Sequence, residues 1–458
     1  MLADVDVFIS RRNGLVISVI TLGEEVVELK SERENGEPPI NSVFKGVVKR
    51  RCNSLNGYFV DVGLEDEALL QKKPECNALK EGDEVIVQLK RKKTLTKGPR
   101  LSCRISLPGK YLVYFPTARK LGVSGRIRDL PFAKKLKELL EKVLKENEGV
   151  IVRSSAVKAK EDELLDELSQ LRRLWEEIKE RAKKVKKGLL WRELPLWARV
   201  VRDYWGQIKE VVVDDPEVWK GLAEAFGSEL SGKLRFSRNL DKVLGRHTLK
   251  NLIDRLFSRY VWLSGGGFLV IEETEAMVVI DVNSGEGCGD SLEENALRTN
   301  LKALQEVARQ IRFRNLGGII VVDLIDVRNE EHRRKLLEES KRIFEREGVR
   351  VKIYELSKLN LLEMTRRKEE QSALRELSEE CPACRGLGLI KSKELVLYFI
   401  EQELDSFKGT KLELRVHPRL VEAVRKLVRE KKLEPWVSIK EVWHENPNYY
   451  ELLPSEPY

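Results

Sequence analysis

MVVIDVNS at residues 277–284 decides the predicted fold, together with a second stretch, GIIVVDLID at residues 318–326. Each is a short apolar, β-branched run that carries an aspartate at its end, and such runs predict buried strands. A capping box and an apolar stripe between them predict a helix over residues 291–311. Because a strand–helix–strand unit makes its strands parallel neighbours, we expect Asp281 and Asp323 at one edge of one sheet.

The acidic ends of these strands predict a site for a divalent cation. A carboxylate beside a buried strand is costly unless it has a partner or a ligand. Strand side chains alternate between faces, so Asp281 and Asn283 are expected to point the same way. Two carboxylates and an amide suit a hard cation such as Mg²⁺. The alternative is that the aspartates only cap the helix or turn that follows each strand.

Composition moderately favours a polyanionic partner. The 458 residues include 84 Lys and Arg against 75 Asp and Glu, a formal net charge of +9, which is compatible with binding nucleic acid. No apolar stretch is long enough to span a membrane and the N-terminus lacks a signal-peptide pattern, so we expect a cytoplasmic protein. Four scattered cysteines are predicted to be reduced thiols, not a disulfide framework: Cys52, Cys76, Cys103 and Cys288.

Residues 40–105 predict a small antiparallel barrel. The predicted strands are 43–50, 57–62 and 84–90. Residues 90–104 carry seven Lys or Arg and no acid, beside a strand that contains Tyr58 and Phe59. Cations that follow phosphates and rings that stack on bases are what a single-stranded nucleic acid site needs, so we predict RNA binding here. The alternative is an ordinary solvated face.

The rest of the chain predicts mixed α/β structure. The predicted strands of this part are 5–10, 15–22, 111–115, 149–155 and 207–213. A long helix has apolar residues at 164, 168, 171, 175, 178 and 182, a spacing that gives one packed face. Residues 391–458 predict a small α/β tail.

CPACRGLG at residues 381–388 predicts a zinc knuckle. Two thiolates two residues apart, Cys381 and Cys384, suit Zn²⁺, and the glycines behind them relax the backbone. A structural zinc needs four ligands, whereas the chain has one such pair. The simplest completion is one zinc shared by two chains, which predicts a symmetric homodimer. A redox CxxC motif is the alternative, although no thioredoxin-like pattern surrounds it.

Together these motifs resemble the bacterial ribonuclease E/G family, the endoribonucleases of RNA decay and rRNA maturation. The most specific motifs are IDVNS at 280–284, the segment 317–326, LLEM at 361–364 and the knuckle at 381–388. The resemblance spans nearly the whole chain in the same domain order. The chain lacks the long disordered tail of the larger members, so it resembles the short, ribonuclease G-like form.

The resemblance implies roles for the residues of the acidic edge. Asp281 and Asp323 would hold a catalytic Mg²⁺, and Asn283 would assist at the site. The metal would activate a water and polarise the scissile phosphate, leaving a 5′-phosphate on the downstream product. Asp326 would support the site from one turn further along the chain.

The resemblance also implies two RNA-contacting surfaces. In the barrel, Phe59 matches a stacking aromatic and Lys97 an RNA-contacting lysine, whereas a second family aromatic is replaced by Leu69. The other surface would be a pocket that prefers RNA with a 5′-monophosphate. It would be formed by Gly109, Val113, Arg153, Ser154 and Arg350.

The implied architecture is multidomain α/β and β. An S1 barrel of the OB type and a 5′-sensor are both inserted into an RNase H-like domain. A DNase I-like catalytic domain follows, then a zinc-link and a small C-terminal α/β domain. The implied boundaries are 1–37 and 200–258 for the RNase H-like parts, 38–105 for the S1 barrel, 106–199 for the sensor, 259–378 for the catalytic domain, 379–390 for the zinc-link and 391–458 for the small domain.

The function that these expectations favour is metal-dependent endoribonuclease cleavage of single-stranded RNA, in RNA decay and in rRNA and tRNA processing. The cofactors would be catalytic Mg²⁺ and structural Zn²⁺, and the partners single-stranded RNA and a second copy of the chain, with a higher oligomer possible. Two other classes compete: a non-catalytic RNA-binding or ribosome-associated protein, and a phosphoesterase acting on small molecules. The acidic pair disfavours the first, and the basic run beside Phe59 disfavours the second.

Overall fold

A computed structural model describes residues 3–454 except 35, 73–75, 77, 94–96, 126, 128, 286–290, 368–369, 385 and 407–410. The chain divides into two compact units, Met1–Leu377 and Ser378–Tyr458. The first contains four sheets and the second contains one. Among the helices of the described part, none combines the length and apolar character needed to cross a bilayer.

A five-stranded mixed sheet is assembled from two separate parts of the chain. Its strands, in spatial order, are Leu234–Phe236, Ile208–Val213, Val5–Arg12, Leu15–Leu22 and Glu25–Arg33. The sequence predicted the three inner strands and missed both edges, which are short or rich in charge. In the Glu25–Arg33 strand the buried carboxylate of Glu32 is satisfied, because it accepts hydrogen bonds from Arg199 at 3.0 Å and from the backbone N–H of Leu196 at 2.8 Å.

A closed five-stranded barrel confirms the predicted barrel fold, although one of its strand pairs is parallel and not antiparallel as predicted. Its strands, in spatial order, are Val43–Cys52, Gly57–Asp61, Ala68–Gln71, Arg100–Ser102 and Glu84–Arg91. The first and last pair with each other and close the barrel, as in OB-type folds. A further strand, Gly188–Trp191, extends the sheet beside Val43–Cys52.

The prediction of four reduced thiols is wrong for two of the cysteines. Cys76 and Cys103 form a disulfide, with Cα atoms 5.5 Å apart and a sequence separation of 27. Scattered spacing gave no hint of the pair, because only closure of the barrel brings the two segments together. Cys52 is a free thiol, and Cys288 lies outside the described residues.

A four-stranded sheet follows the barrel. Its strands, in spatial order, are Leu121–Val123, Gly149–Val152, Leu112–Phe115 and Leu107–Pro108. The helices of this part are Leu130–Val143 and Glu161–Lys184, and a short 3₁₀ turn spans Ser154–Lys158. The six predicted apolar positions of the long helix are all buried, which confirms its packed face. Five more helices follow: Leu196–Asp203, Pro216–Phe226, Ser228–Ser231, Leu240–Leu244 and Leu249–Phe257.

A six-stranded sheet carries the two aspartates. Its strands, in spatial order, are Tyr260–Trp262, Phe268–Glu273, Met277–Asn283, Gly318–Asp323, Leu361–Arg366 and Lys352–Leu356. The helices of this part are Leu292–Phe313, Glu330–Arg346 and Ala373–Leu377. The predicted unit is confirmed, since its two strands are parallel neighbours and Ser291 caps the connecting helix through the backbone N–H of Glu294.

The second unit is a small α/β layer, as predicted. Its strands, in spatial order, are Val437–Glu441, Leu412–Val416 and Tyr450–Pro454. Its helices are Lys393–Ser406 and Pro418–Glu430. Alternate residues of the central strand are buried with the apolar side of the second helix, so this unit has a core of its own.

Candidate active site

Asp281 and Asp323 are direct partners across the two parallel strands. Adjacent strands lie about 4.8 Å apart, so the two carboxylates leave the sheet side by side. Both side chains are exposed, whereas Ile280 and Val322, which precede them, are fully buried under the helices. The alternation of faces thus explains how one strand serves both the core and the site, and the expected neighbourhood of the aspartates is confirmed.

Asn283 lies on the same face as Asp281, as predicted, and its Nδ2 donates a hydrogen bond to Asp281 Oδ2 at 2.9 Å. The amide therefore orients one carboxylate of the pair. The backbone of Asn283 packs closely against a glycine turn. A Cβ at Gly267, whose φ is +88°, would lie 2.6 Å from the carbonyl oxygen of Asn283, so this position requires glycine.

A third carboxylate, Asp326, adds to the negative charge of the edge. Burial, then the nearby charges of Asp281 and Asp326, raise the pKa of Asp323. Asp326 Oδ1 accepts a hydrogen bond from Asn360 Nδ2 at 2.8 Å, and Asn360 in turn accepts one from the guanidinium of Arg333. This chain of contacts fixes the loop that follows the second strand.

The same loop is held from the helix side by Asn300, which is fully buried. Its Nδ2 donates to the carbonyl of Ile325 at 2.8 Å, and its Oδ1 accepts the N–H of Ile325 at 3.0 Å. Sequence reasoning missed both supporting residues. A polar residue beside the apolar stripe signalled Asn300, and a left-handed φ of 59°, which favours asparagine, accounts for Asn360.

The donors at this edge fit a hard cation better than a soft one. They are carboxylate and amide oxygens, although within the described residues no group of three or more His, Cys, Asp or Glu side chains is placed to hold a metal ion. Mg²⁺ is commonly held by one or two carboxylates while water and substrate phosphates complete its shell. The raised pKa of Asp323 fits the same reading, because a bound cation would offset the repulsion between the carboxylates.

Comparison with known proteins agrees with this geometry. Residues 106–369 match the profile of the Ribonuclease E/G family. The chain is 32% identical over 428 residues to Ribonuclease G of Salmonella typhimurium (strain SL1344) and, equally, of Escherichia coli (strain K12), covering 87% of this chain and 88% of each relative. The chain belongs to the ribonuclease E/G family.

Within the family the chain is ribonuclease G-like, and it is an endoribonuclease of RNA processing and decay. Ribonuclease E of Escherichia coli (strain K12) is also 32% identical, over 410 residues, but the match covers 83% of this chain and only 39% of that relative. Enzymes of the ribonuclease E/G family generally depend on a metal ion, in agreement with the oxygen donors at the acidic edge.

On the barrel, Phe59 lies on the strand Gly57–Asp61, whereas Lys97 lies just before the strand Arg100–Ser102, which is two strands away. Phe59 is half-buried between its partners Arg50 and Leu69, and the Arg50 guanidinium lies 4.3 Å from the centre of the Phe59 ring. Lys97 is exposed and precedes the strand whose Arg100 pairs with Leu69. The leucine that departs from the family pattern therefore sits directly beside the predicted stacking ring.

Four of the five predicted pocket residues belong to the four-stranded-sheet region. Arg153 Nη1 donates to the carbonyl of Gly109 at 3.2 Å, Val113 lies on the adjacent strand, and Ser154 opens the 3₁₀ turn. Arg350 lies elsewhere, between the helix Glu330–Arg346 and the outer strand of the six-stranded sheet. Among the contacts of the described residues, one joins Arg153 to Gly109 and none joins Arg350 to either of them.

Arg153 has an internal partner that the sequence did not reveal. Its Nη2 donates to Asp203 Oδ1 at 2.8 Å. Burial alone would raise the pKa of Asp203, but the guanidinium groups of Arg202 and Arg153 hold that pKa well below the usual range. Arg153 is therefore fixed in place by a carboxylate that stays ionised.

Glu167 is a second residue that the sequence did not single out. Its buried carboxylate accepts the backbone N–H groups of Lys110, Tyr111 and Leu112 at 2.6, 2.8 and 2.8 Å. A Cβ at Gly109 would lie 2.5 Å from the carboxyl carbon, so only glycine permits this approach. Glu167, which lies on the long helix Glu161–Lys184, thereby anchors to that helix the loop that contains Gly109.

In the second unit, Cys381 is exposed and Cys384 is half-exposed. Backbone N–H groups of Gly388 and Gly386, then the neighbouring Cys381 thiol, lower the pKa of Cys384. A lowered thiol pKa favours the thiolate, the form that binds zinc. No third ligand accompanies the pair among the residues that are described.

Proposed function

We propose that this enzyme hydrolyses single-stranded RNA at the edge formed by Asp281 and Asp323, and leaves a 5′-phosphate on the downstream product. The observation that carries the proposal is the direct pairing of the two exposed aspartates, with Asn283 bonded to one of them. Asp281 and Asp323 would hold Mg²⁺, which when bound supplies Lewis-acid polarisation of the phosphate and a more acidic water.

The chain's own side chains have distinct roles in this proposal. Asn283 orients the Asp281 carboxylate through its 2.9 Å hydrogen bond. Asp326, held by Asn360, adds negative charge that attracts a cation to the edge. Among the described residues, the helices that pack on this sheet bury the face opposite the aspartates, so an extended RNA strand would have access to the aspartates from their exposed face.

The barrel is proposed to hold the RNA strand, with Phe59 stacking on a base and Lys97 contacting phosphate. Leu69 offers no π-face beside Phe59, whereas the Arg50 guanidinium already covers that ring. We therefore propose that the Phe59 ring and the Arg50 guanidinium together contact the RNA bases that two aromatic rings would otherwise stack on.

A preference for RNA with a 5′-monophosphate is proposed for the Arg153–Ser154 pocket. The guanidinium has five N–H groups, and its contacts with Gly109 and Asp203 leave others to bind a phosphate oxygen. Val113 would form the pocket wall. Arg350, which lies between the helix Glu330–Arg346 and the strand Lys352–Leu356, is proposed to support this pocket.

The proposed architecture assigns the five-stranded sheet to an RNase H-like domain, the barrel to an S1 domain and the six-stranded sheet to a DNase I-like domain, with the boundaries expected from the sequence. Two chains would share one zinc, each giving Cys381 and Cys384, and so form a dimer. Roles in rRNA and tRNA processing in the cytoplasm complete the proposal.

Cleavage of a short single-stranded RNA tests the catalytic proposal. With Mg²⁺ we expect the 5′-monophosphate RNA to be cut faster than the 5′-hydroxyl RNA, and with EDTA we expect no cleavage. The variants Asp281→Asn and Asp323→Asn should bind RNA but should not cleave it. Metal-dependent cleavage without any 5′ preference would refute the proposed 5′-phosphate pocket and support the proposed nuclease activity. Binding without cleavage by the wild-type protein would favour the non-catalytic alternative.

A further inference from the structure

Three aromatic residues form a cluster at the outer edge of the six-stranded sheet, which we call the aromatic patch: Tyr260, Trp262 and Phe268. The Phe268 ring centre lies 5.3 Å from that of Trp262 and 5.9 Å from that of Tyr260. Trp262 is 75% exposed and Tyr260 is 51% exposed, so most of the indole faces water. Single exposed apolar residues are ordinary, but a cluster in which Phe268 contacts both of the other rings forms a surface that can bind.

Strand register aligns this patch with the acidic edge. Trp262 pairs with Phe268, and Phe268 pairs with Asn283. Directly paired residues point to the same face of a sheet, so the patch lies on the face that carries Asp281 and Asp323. Two strand spacings, roughly 10 Å, separate the backbone of Trp262 from that of Asn283.

The core does not account for these rings. Leu263, Leu269 and Val282 of the same three strands are buried on the helix-covered side. The patch is on the opposite side, where a polar residue at position 262 would leave that core unchanged. A large aromatic ring there is therefore better explained by something that binds the open face.

We propose that the aromatic patch stacks a base of the RNA strand close to the scissile phosphate, with Trp262 as its main platform. The proposal rests on the proposed function, because it places the base beside the acidic edge. Stacking suits an enzyme that accepts varied sequences, since every base has a π-face. Lys302 supports RNA as the occupant, because its exposed ammonium lies 3.5 Å from the carbonyl of Ser264, on the turn that joins the two aromatic strands.

The test compares Trp262→Ala with Trp262→Phe and with a matched control, Tyr354→Ala. Tyr354 is 50% exposed on the opposite edge strand of the same sheet. With a short RNA cut at one place, we expect Trp262→Ala to raise KM by about 5- to 150-fold, the range that loss of one stacked base implies. Trp262→Phe should restore most of the affinity, and Tyr354→Ala should leave KM unchanged.

An abasic nucleotide in the RNA makes the test specific to stacking. Placed at successive positions around the cleaved bond, it should raise the wild-type KM at one position and have no additional effect on Trp262→Ala at that position. A structural role for Trp262 would instead give independent, multiplicative losses.

The remaining outcomes overturn the proposal. An unchanged KM in Trp262→Ala, with normal cleavage, would refute the stacking role and leave the nuclease intact. Loss of the dimer in both Trp262→Ala and Tyr354→Ala, measured by sedimentation, would assign the open face to a second copy of the chain. Failure of the wild-type protein to cut RNA would instead count against the proposed function itself.

Discussion

Replacing Asp281 by asparagine should stabilise the metal-free protein while it abolishes cleavage. Asp281 and Asp323 are paired like charges, and burial, followed by the charges of Asp281 and Asp326, raises the pKa of Asp323. Two unit charges about 5 Å apart repel by roughly 1 kcal/mol in a water-like dielectric and roughly 3 kcal/mol in a partly buried one. Since both side chains are exposed and screened, we expect a gain of about 1 kcal/mol. The new amide oxygen still accepts the hydrogen bond from Asn283.

Thermal unfolding in EDTA and in Mg²⁺ measures this effect. In EDTA, Asp281→Asn should unfold about 1–3 °C above the wild-type protein. With Mg²⁺ at about 100 times its dissociation constant, the free energy of unfolding of the wild-type protein should rise by about 2.7 kcal/mol, whereas that of the variant should hardly change. The wild-type protein should then unfold at the higher temperature of the two. Glu355→Gln is the matched control, because it removes one exposed carboxylate from the same sheet without touching the pair.

The stability of the metal-free protein should depend on pH in a direction set by the raised pKa of Asp323. Because the folded state raises the pKa of Asp323 above its ordinary value of 3.8, the folded protein binds that proton more tightly than the unfolded chain. The stability of metal-free wild-type protein therefore falls as pH rises from about 4 through the raised pKa. The advantage of Asp281→Asn should be absent below this window and complete above it. Equal Mg²⁺ stabilisation of both proteins would refute the reasoning.

Four further predictions concern the other surfaces. Arg153→Gln should bring the kcat/KM ratio between 5′-monophosphate and 5′-hydroxyl RNA close to one, while cutting of the 5′-hydroxyl RNA persists. Glu167→Gln should lose about 2 kcal/mol of local stability, seen as faster hydrogen exchange of residues 110–112, since one of the three N–H groups faces an amide donor instead of a carboxylate oxygen. Leu69→Phe should lower the Kd for single-stranded RNA by about fivefold or more, measured by fluorescence anisotropy, because it adds a ring beside Phe59. Cys384→Ser should release zinc and convert the dimer to a monomer, measured by metal analysis and sedimentation.

The acidic edge could be predicted because its information is local. Each strand is a continuous β-branched run, and the helix between them has a cap and a stripe, so connection rules place the strands that carry Asp281 and Asp323 as parallel neighbours. The barrel was also predictable in outline, although its closure depends on the pairing of Val43–Cys52 with Glu84–Arg91, which no local pattern specifies.

Contacts between distant segments account for what the sequence did not show. Asp203 lies 50 residues from Arg153, and Glu167 lies 55 to 57 residues from the amides that it binds. Neither pairing leaves a periodic signal, since each depends on how the long helix and the four-stranded sheet are placed together. The disulfide Cys76–Cys103 is of the same kind.

The loop after the second acidic strand shows that a break in a pattern can itself be informative. A buried asparagine in a helix is costly unless both ends of its amide are bonded, and Asn300 meets this need by binding the N–H and carbonyl of Ile325. That pairing helps to fix the loop that carries Asp326. Burial, the charge of Asp281 and then the charge of Asp326 together raise the pKa of Asp323. Polar residues that interrupt an apolar helix are therefore positions at which to look for the support of a site.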